Sequence, residues 1–228
     1  MATTARRFRD RAEAGRALAE RLSEYAGRDD VLVLGLPRGG VPVAFEIACA
    51  LDAPLDVFLV RKLGVPGREE LAFGAIASGG VRVLNKQLIE SLEIPSDWIE
   101  AIDAKERREL DRREHAYRAD RLPPDRVGKT VIIVDDGLAT GSTMSAAVHA
   151  IREDDPARVV VAVPVADPDV CASLRTAADE VICLSTPQPL HGVGAWYADF
   201  SQTSDDEVRD LLTPTRRLGS CGTRRRMD

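Results

Sequence analysis

The amino-acid sequence predicts an α/β fold built on a mostly parallel, doubly wound sheet. Short apolar runs such as VLVLGL (31–36) and TVIIVDD (130–136) lack the polar alternation of a strand with one face in water. Segments with helical spacing of apolar residues separate these runs, and turns of small residues follow two of them. Parallel strands need such helical crossovers, so the alternation favours a doubly wound arrangement.

The N-terminal half predicts helix, strand, helix and strand in turn. Apolar residues recur at helical spacing over 6–25 and 41–51, which predicts two helices. Residues 31–36 and 55–60 (LDVFLV) are continuous apolar runs and predict two strands. Residues 71–85 hold two apolar runs around a Ser-Gly-Gly turn, which is typical of a hairpin.

The C-terminal half continues the alternation of strands and helices. Strands are predicted at 130–136, 158–166 and 180–185. Helices are predicted between them, at 142–153 and 167–178. Each strand-to-helix connection is short, as expected for adjacent parallel strands.

Residues 86–128 interrupt this alternation and are predicted to be a helical insertion. Their charge-dense stretch 96–121 predicts one long helix, with its N-cap at Ser96 or Asp97. Charge on nearly every face favours a solvated helix, while a lid or a dimer contact stays open as the alternative. The acid-before-base pairs at i,i+4 spacing are Asp103–Arg107, Glu109–Arg113 and Glu114–Arg118.

The domain organisation follows from where the apolar pattern ends. Residues 1–212 are expected to form a single domain, in which 186–212 make a small C-terminal hood. The basic segment 213–228 lacks an apolar period, so we expect a disordered tail.

Composition argues against several classes of protein. The chain has 228 residues, 44% of them hydrophobic, and a formal net charge of −6, which argues against general binding of nucleic acid. The four cysteines form no CxxC pair, so neither a zinc site nor a disulfide framework is expected. The sequence has neither a long apolar span nor an N-terminal leader pattern, which predicts a soluble, cytoplasmic protein without a membrane partner.

Residues 131–143, VIIVDDGLATGST, carry the strongest functional pattern. Two carboxylates, Asp135 and Asp136, follow a buried strand, and a turn of small residues then opens a helix. Free N–H groups and the positive end of a helix dipole favour a phosphate at such a turn. An acidic pair beside it is suited to accept hydrogen bonds from a vicinal diol. The combination indicates a site for a ribose 5-phosphate.

Other interpretations account for this segment less completely. The turn GLATGS lacks the third glycine of GxGxxG, and no lysine follows as a Walker A loop requires. An acidic pair of receiver or phosphatase type would use one aspartate as nucleophile. A purely structural turn would not account for two adjacent acids.

The segment VIIVDDGLATGST resembles the phosphoribosyl pyrophosphate (PRPP) signature of the type I phosphoribosyltransferases. The resemblance implies a PRPP-dependent transfer of phosphoribose to a nucleobase or another small nitrogen acceptor, with Mg²⁺ carried by PRPP. Asp135 and Asp136 would hold the ribose, and one of them could also contact Mg²⁺. A PRPP-binding regulatory module without turnover is the alternative. The implied 5′-phosphate residues are Gly137, Ala139, Thr140, Gly141, Ser142 and Thr143.

Two further stretches extend the resemblance toward the leaving group. GLPRGGVP (35–42) matches the family loop that binds pyrophosphate, which implies Pro37, Arg38, Gly39 and Gly40 as its contacts and a cis Pro37–Arg38 bond. VRKLGVPGREELAFG (60–74) resembles the stretch before the family's mobile loop. It implies Arg61 and Lys62 as catalytic cations that neutralise pyrophosphate; a structural strand-end pair is the alternative.

The sequence narrows the chemical class of the acceptor but does not identify it. Ala139 stands where 6-oxopurine enzymes of the family carry a third acid, so the loop looks more like the adenine type. The hood offers Trp196, Tyr197 and Asp199 for stacking and an amine contact, although packing of this segment onto the sheet would explain them equally well. Family members are often homodimers, and the resemblance implies the same here.

Overall fold

The computed structural model describes residues 7–65, 67–119 and 121–213, without the side chains of residues 69 and 70. In chain order the strands are β1 (Val31–Gly35), β2 (Leu55–Val57), β3 (Val60–Val65), β4 (Arg68–Ala77), β5 (Arg82–Leu84), β6 (Thr130–Val134), β7 (Arg158–Val165) and β8 (Glu180–Ser185). The helices are α1 (Arg11–Arg21), α2 (Gly40–Leu51), α3 (Lys86–Ser91), α4 (Ser96–Arg118), α5 (Ser142–Arg152), α6 (Pro168–Leu174) and α7 (Asp205–Leu212). Beyond residue 213, the expected tail lies outside the described residues.

A five-stranded parallel sheet forms the centre of the molecule, in the order β2-β1-β6-β7-β8. Alternate residues of its strands point to opposite faces. Ile132 and Val160 pack with Leu18 and Ile47 beneath α1 and α2. The opposite face packs against α5 and α6. Helices therefore cover both faces, and the predicted doubly wound fold is confirmed.

A three-stranded antiparallel sheet, β3-β4-β5, lies beside the main sheet. The predicted hairpin is confirmed, since β4 and β5 flank a turn at Gly79 and Gly80, both with positive φ. The single strand expected at 55–60 is divided instead. Leu59 N–H donates to Ser78 Oγ at 3.0 Å, and Ser78 N–H returns a bond to the Leu59 carbonyl. These bonds turn the chain from one sheet to the other.

The charged helix α4 packs on the small sheet along one side. Leu110 and Tyr117 are buried, so the expected solvated helix is wrong for this face. The three predicted i,i+4 ion pairs all form on α4. The predicted side-chain cap is also wrong: Pro95 holds the cap position in extended backbone, and Ser96 is already helical.

Arg118 at the end of α4 is buried against β2. Its Nε donates to Asp56 Oδ2 at 2.8 Å and its Nη2 to the Val57 carbonyl at 2.6 Å. The ion pair between Arg118 and Asp56 thus connects the helical insertion to the main sheet. The remaining C-terminal segment contains a 3₁₀ turn (Val193–Trp196) and α7, which buries Val208 and Leu212. Among the described helices, none combines the length and apolar character needed to cross a membrane.

Candidate active site

The two strand-to-helix loops singled out by sequence meet at one edge of the main sheet. β1 and β6 are adjacent and parallel, with Gly35 opposite Val134. Both loops therefore leave the carboxyl ends of neighbouring strands. Leu36 N–H donates to the Val134 carbonyl at 2.8 Å and ties them together. This is the edge at which ligands bind in open α/β sheets.

Glycines allow the backbones of these two loops to pack directly against each other. A Cβ on Gly40 would lie 2.6 Å from the Val134 carbonyl oxygen and 2.9 Å from Asp135 Cα. A Cβ on Gly39 would lie 1.9 Å from Asp136 Oδ2. No side chain fits at either place. The Pro37–Arg38 peptide bond is cis, which confirms that prediction.

The turn between β6 and α5 forms the cradle, residues 137–143. Buried Leu138 anchors it, because its N–H donates to the Val165 carbonyl and its carbonyl accepts from Asp167 N–H. Gly141 has φ of 67°, and a Cβ there would lie 2.3 Å from Val170 Cγ1, so glycine is required. No side chain caps α5 within the described part of the chain. Its first N–H groups therefore have no capping side chain and remain available to an anion.

The acid pair has a cationic partner that sequence reasoning missed. Arg11, at the start of α1, donates from Nε to Asp136 Oδ2 at 2.8 Å. The two side chains are 12% and 15% exposed, so the pair is largely shielded from water. Arg11 is itself held by the Ser201 carbonyl, 2.7 Å from Nη1, and by the ring of Phe200. The partners lie 125 positions apart, and no local pattern marks the contact.

Asp135 is left without a cationic partner among the residues described. Its Oδ1 accepts the N–H of Asp136 at 2.9 Å. Burial, and next the charge of Asp136, raise the pKa of Asp135 well above its usual value. Burial also raises the pKa of Asp136, against the opposing effect of Arg11. Folded-state pKa values above the unfolded ones mean that stability contributed by these carboxyls is lost as pH rises through the folded pKa. A diol or a cation binding here would relieve that cost.

The predicted catalytic cations lie on β3, near the start of α5. Arg61 donates from Nε to Glu106 Oε2 on α4 at 2.7 Å, so its charge is already balanced. Lys62 is exposed and lines two cavities, one reaching Thr143 and the other reaching Ser142. The small sheet thus brings Lys62 beside the cradle. Lys62 rather than Arg61 remains available to an anionic ligand.

Weaker contacts join the hood segment to the loop of residues 37–40, which is predicted to bind pyrophosphate and is called the pyrophosphate loop. Arg38 Nη1 lies 3.9 Å from Asp205 Oδ1 at the start of α7, and the same carboxylate accepts the Tyr117 hydroxyl at 2.7 Å. Val193 of the 3₁₀ turn lies against the cradle, because a Cβ on Gly137 would come within 2.5 Å of it. The hood segment therefore borders both loops.

The three hood residues proposed to contact an acceptor have other partners. Tyr197 is 1% exposed, its ring packs with Phe8, and its hydroxyl donates to the Asp136 carbonyl at 2.6 Å. Of the two alternatives left open for Tyr197, the structure favours packing over stacking on an acceptor, since neither ring face is open. The hydroxyl braces the acid pair. Trp196 Nε1 donates to the Leu190 carbonyl. The Asp199 carboxylate accepts Ser201 N–H.

Comparison with known proteins identifies the family. A model described as the phosphoribosyl transferase domain matches residues 65–191. The chain belongs to the phosphoribosyltransferase family of enzymes. Its parallel sheet with flanking helices, beside a second antiparallel sheet, is the predicted α/β fold.

The chain is similar to several known proteins. Proteins of two Mycobacterium tuberculosis strains, each with a provisional phosphoribosyl transferase name, are 49% identical over 212 residues, 92% of this chain and 47% of theirs. The chain thus spans about half the length of these relatives. The crystal structure of TT1426 from Thermus thermophilus is 45% identical, with a TM-score of 0.81, over 90% of this chain and 97% of that one. A Chloroflexus aurantiacus protein named bifunctional protein PyrR is 36% identical over 129 residues, 55% of this chain and 65% of that protein.

Proposed function

We propose that the chain transfers the 5-phosphoribosyl group of PRPP to a small nitrogen acceptor and releases pyrophosphate. One observation carries the proposal: an acid pair, an uncapped helix N-terminus and a glycine loop converge at one edge of the sheet. These three features complement the diol, the 5′-phosphate and the pyrophosphate of one donor molecule.

Each part of PRPP has a proposed partner. The backbone N–H groups of the cradle and the hydroxyls of Ser142 and Thr143 hold the 5′-phosphate. Asp135, which has no cationic partner among the described residues, accepts hydrogen bonds from the ribose diol. Asp136 is fixed by Arg11 and shapes the floor of the site. The backbone of Pro37–Gly40 holds the pyrophosphate, and Lys62 neutralises its charge.

The acid pair also fits a magnesium ion that arrives with PRPP. Mg²⁺ favours one or two carboxylates together with substrate phosphates, over a cage made wholly of protein groups. Asp135 would be the protein ligand, and the ion would neutralise charge on the pyrophosphate. No group of three or more His, Cys, Asp or Glu residues in the described part of the chain forms a metal cage.

The chemistry is a displacement at the anomeric carbon of ribose. The bond from C1 to the pyrophosphate oxygen breaks and its electron pair leaves with pyrophosphate, while the acceptor nitrogen forms the new bond to C1 and loses its proton to water. Positive charge develops on the ribose ring in the transition state, as in glycoside cleavage. The residues contribute position and electrostatic stabilisation, and no covalent enzyme intermediate is needed.

Two measurements test the proposal. Calorimetric titration with PRPP and Mg²⁺ should show one-to-one binding, and a panel of nucleobases and small amines should yield an acceptor on which pyrophosphate is released. Absence of PRPP binding would overturn the proposal. Binding without release on any acceptor would favour the alternative, a PRPP-binding regulatory module.

The proposed partners are PRPP and the small acceptor. The net charge of −6 gives the chain no general attraction for nucleic acid. We also propose that the protein acts in the cytoplasm, as its sequence predicts. Because the curated relatives are about twice as long, activity of this chain on its own is part of the proposal.

A further inference from the structure

A cavity of about 510 Å³ lies between the small sheet and the charged helix α4. Val60, Arg61 and Lys62 of β3 form one wall, and Ile102, Lys105 and Glu106 of α4 form the other. Thr143 of the cradle closes one end. The volume falls in the ordinary range of small-molecule sites.

The charge inside this cavity is positive. Arg61 and Glu106 form an ion pair and cancel. The ammonium groups of Lys62 and Lys105 have no ion-pair partner in residues 7–65, 67–119 and 121–213. Both lysines are exposed, and two uncompensated cations that line one cavity favour an anionic ligand. The side chains of Val60 and Ile102 add an apolar surface, which suits a ring.

The cavity overlaps the proposed donor site at Lys62 and Thr143 and extends beyond it toward α4. None of its lining residues belongs to the pyrophosphate loop Pro37–Gly40 or to the acid pair. Thr143 nevertheless places it directly beside the proposed 5′-phosphate cradle. A ligand bound there would therefore lie next to the donor.

We propose that this cavity binds the acceptor, and that the acceptor is a heteroaromatic ring carrying an anionic substituent recognised by Lys105. The substituent is a carboxylate or a phosphate, which share the charge and the acceptor oxygens that an ammonium binds. This inference rests on the proposed function and names its substrate class. It also gives the helical insertion a role, because α4 supplies Lys105.

Matched ligand pairs test the inference by equilibrium binding without PRPP. The carboxylate pair is pyridine-3-carboxylate and pyridine-3-carboxamide, and the phosphate pair is pyridin-3-yl phosphate and pyridin-3-ol. In the wild-type protein the charged member of at least one pair should bind roughly tenfold more tightly than its neutral partner. The preferred pair identifies the source of the anion.

Three variants distinguish recognition from folding. Lys105→Met should remove about tenfold of affinity for the charged ring and leave the neutral ring unchanged. Lys86→Met, an exposed lysine outside the cavity, should change neither. Glu106→Gln removes the negative charge beside the cavity and should tighten binding of the charged ring, a direction that local damage would not produce.

Equal binding of both members of both pairs would overturn the inference, as would indifference to Lys105→Met. Lys105→Met could also weaken pyrophosphate binding as much as it weakens binding of the charged ring. That result would assign the cavity to the leaving group and would overturn the inference. PRPP titration of the same proteins is read separately. Its failure would remove the proposed function, whereas intact PRPP binding with no charge preference would remove only the acceptor class.

Discussion

At Gly39 the pyrophosphate loop packs directly against the acid pair. The substitution Gly39→Ala perturbs that contact alone. Its backbone has φ −62° and ψ −30°, a conformation that alanine adopts without strain. The added methyl group is therefore the whole perturbation. An ideal Cβ would lie 1.9 Å from Asp136 Oδ2, 2.6 Å from its Cγ and 3.2 Å from Arg11 Nε.

The size of the effect follows from these distances. Cβ atoms essentially never approach another heavy atom within 3.0 Å, so the Asp136 carboxylate must move by about 1.1 Å, the difference from 1.9 Å. Arg11 blocks the neighbouring space, so the 2.8 Å bond between these side chains lengthens or breaks. Overpacking of this kind costs about 1–3 kcal/mol of stability. Displacing site groups by about 1 Å lowers turnover by roughly a hundredfold.

Calorimetry with PRPP and Mg²⁺ measures the outcome, alongside chemical denaturation. We expect PRPP affinity to fall by at least about tenfold, beyond any loss of stability. Gly27→Ala is the control, because Gly27 has φ of 69° with nothing within 4 Å of its Cβ and lies before β1, at the opposite edge of the sheet. It should cost about 1–2 kcal/mol and leave PRPP affinity unchanged. A folded Gly39→Ala protein with wild-type affinity would refute the proposed packing of loop on acid.

Three further variants test the surroundings of the site. Arg11→Met removes the cation that lowers the pKa of Asp136, so the fall of PRPP affinity at acid pH should move to higher pH; titrations between about pH 5 and pH 8 would show it, and an unchanged profile would contradict it. Tyr197→Phe removes a buried hydroxyl bond of 2.6 Å and should lower stability by about 1 kcal/mol, seen as a Tm lower by about 2–4 °C; an unaltered Tm would count against the bracing role. Arg118→Met strands a buried carboxylate on β2 and should cost about 3–5 kcal/mol in urea unfolding, whereas the exposed-pair control Arg112→Met should cost under about 1 kcal/mol; equal losses would contradict the difference in burial.

Local chemistry explains the features that sequence could predict. The segment from β6 through the cradle into α5 is continuous in the chain, and its apolar run, acids and small residues each act on their immediate neighbours. The same holds for the hairpin turn at Gly79 and Gly80. The i,i+4 ion pairs of α4 were also predictable, because helical geometry alone brings them together.

The features that sequence could not predict depend on contacts between distant segments. Arg11 reaches Asp136 only because α1 packs across the sheet edge. Lys105 joins the cavity only because α4 folds back against β3. Tyr197 is an aromatic residue that could stack on a ligand, yet its ring packs against Phe8 and its hydroxyl donates to the Asp136 carbonyl. In each case the residue type was visible, but the partner was set by tertiary packing.

The assignment of the acid pair to a pentose diol can be tested with two sugars and two proteins. Ribose 5-phosphate and its 2,3-dideoxy analogue are titrated into the wild-type chain and into the double variant Asp135→Asn with Asp136→Asn. We expect the wild type to prefer the hydroxylated sugar by at least about tenfold, and the double variant to lose most of that preference while keeping its affinity for the dideoxy sugar. Equal affinity of the wild type for both sugars, or the same preference in both proteins, would show that these carboxylates do not hold the ribose.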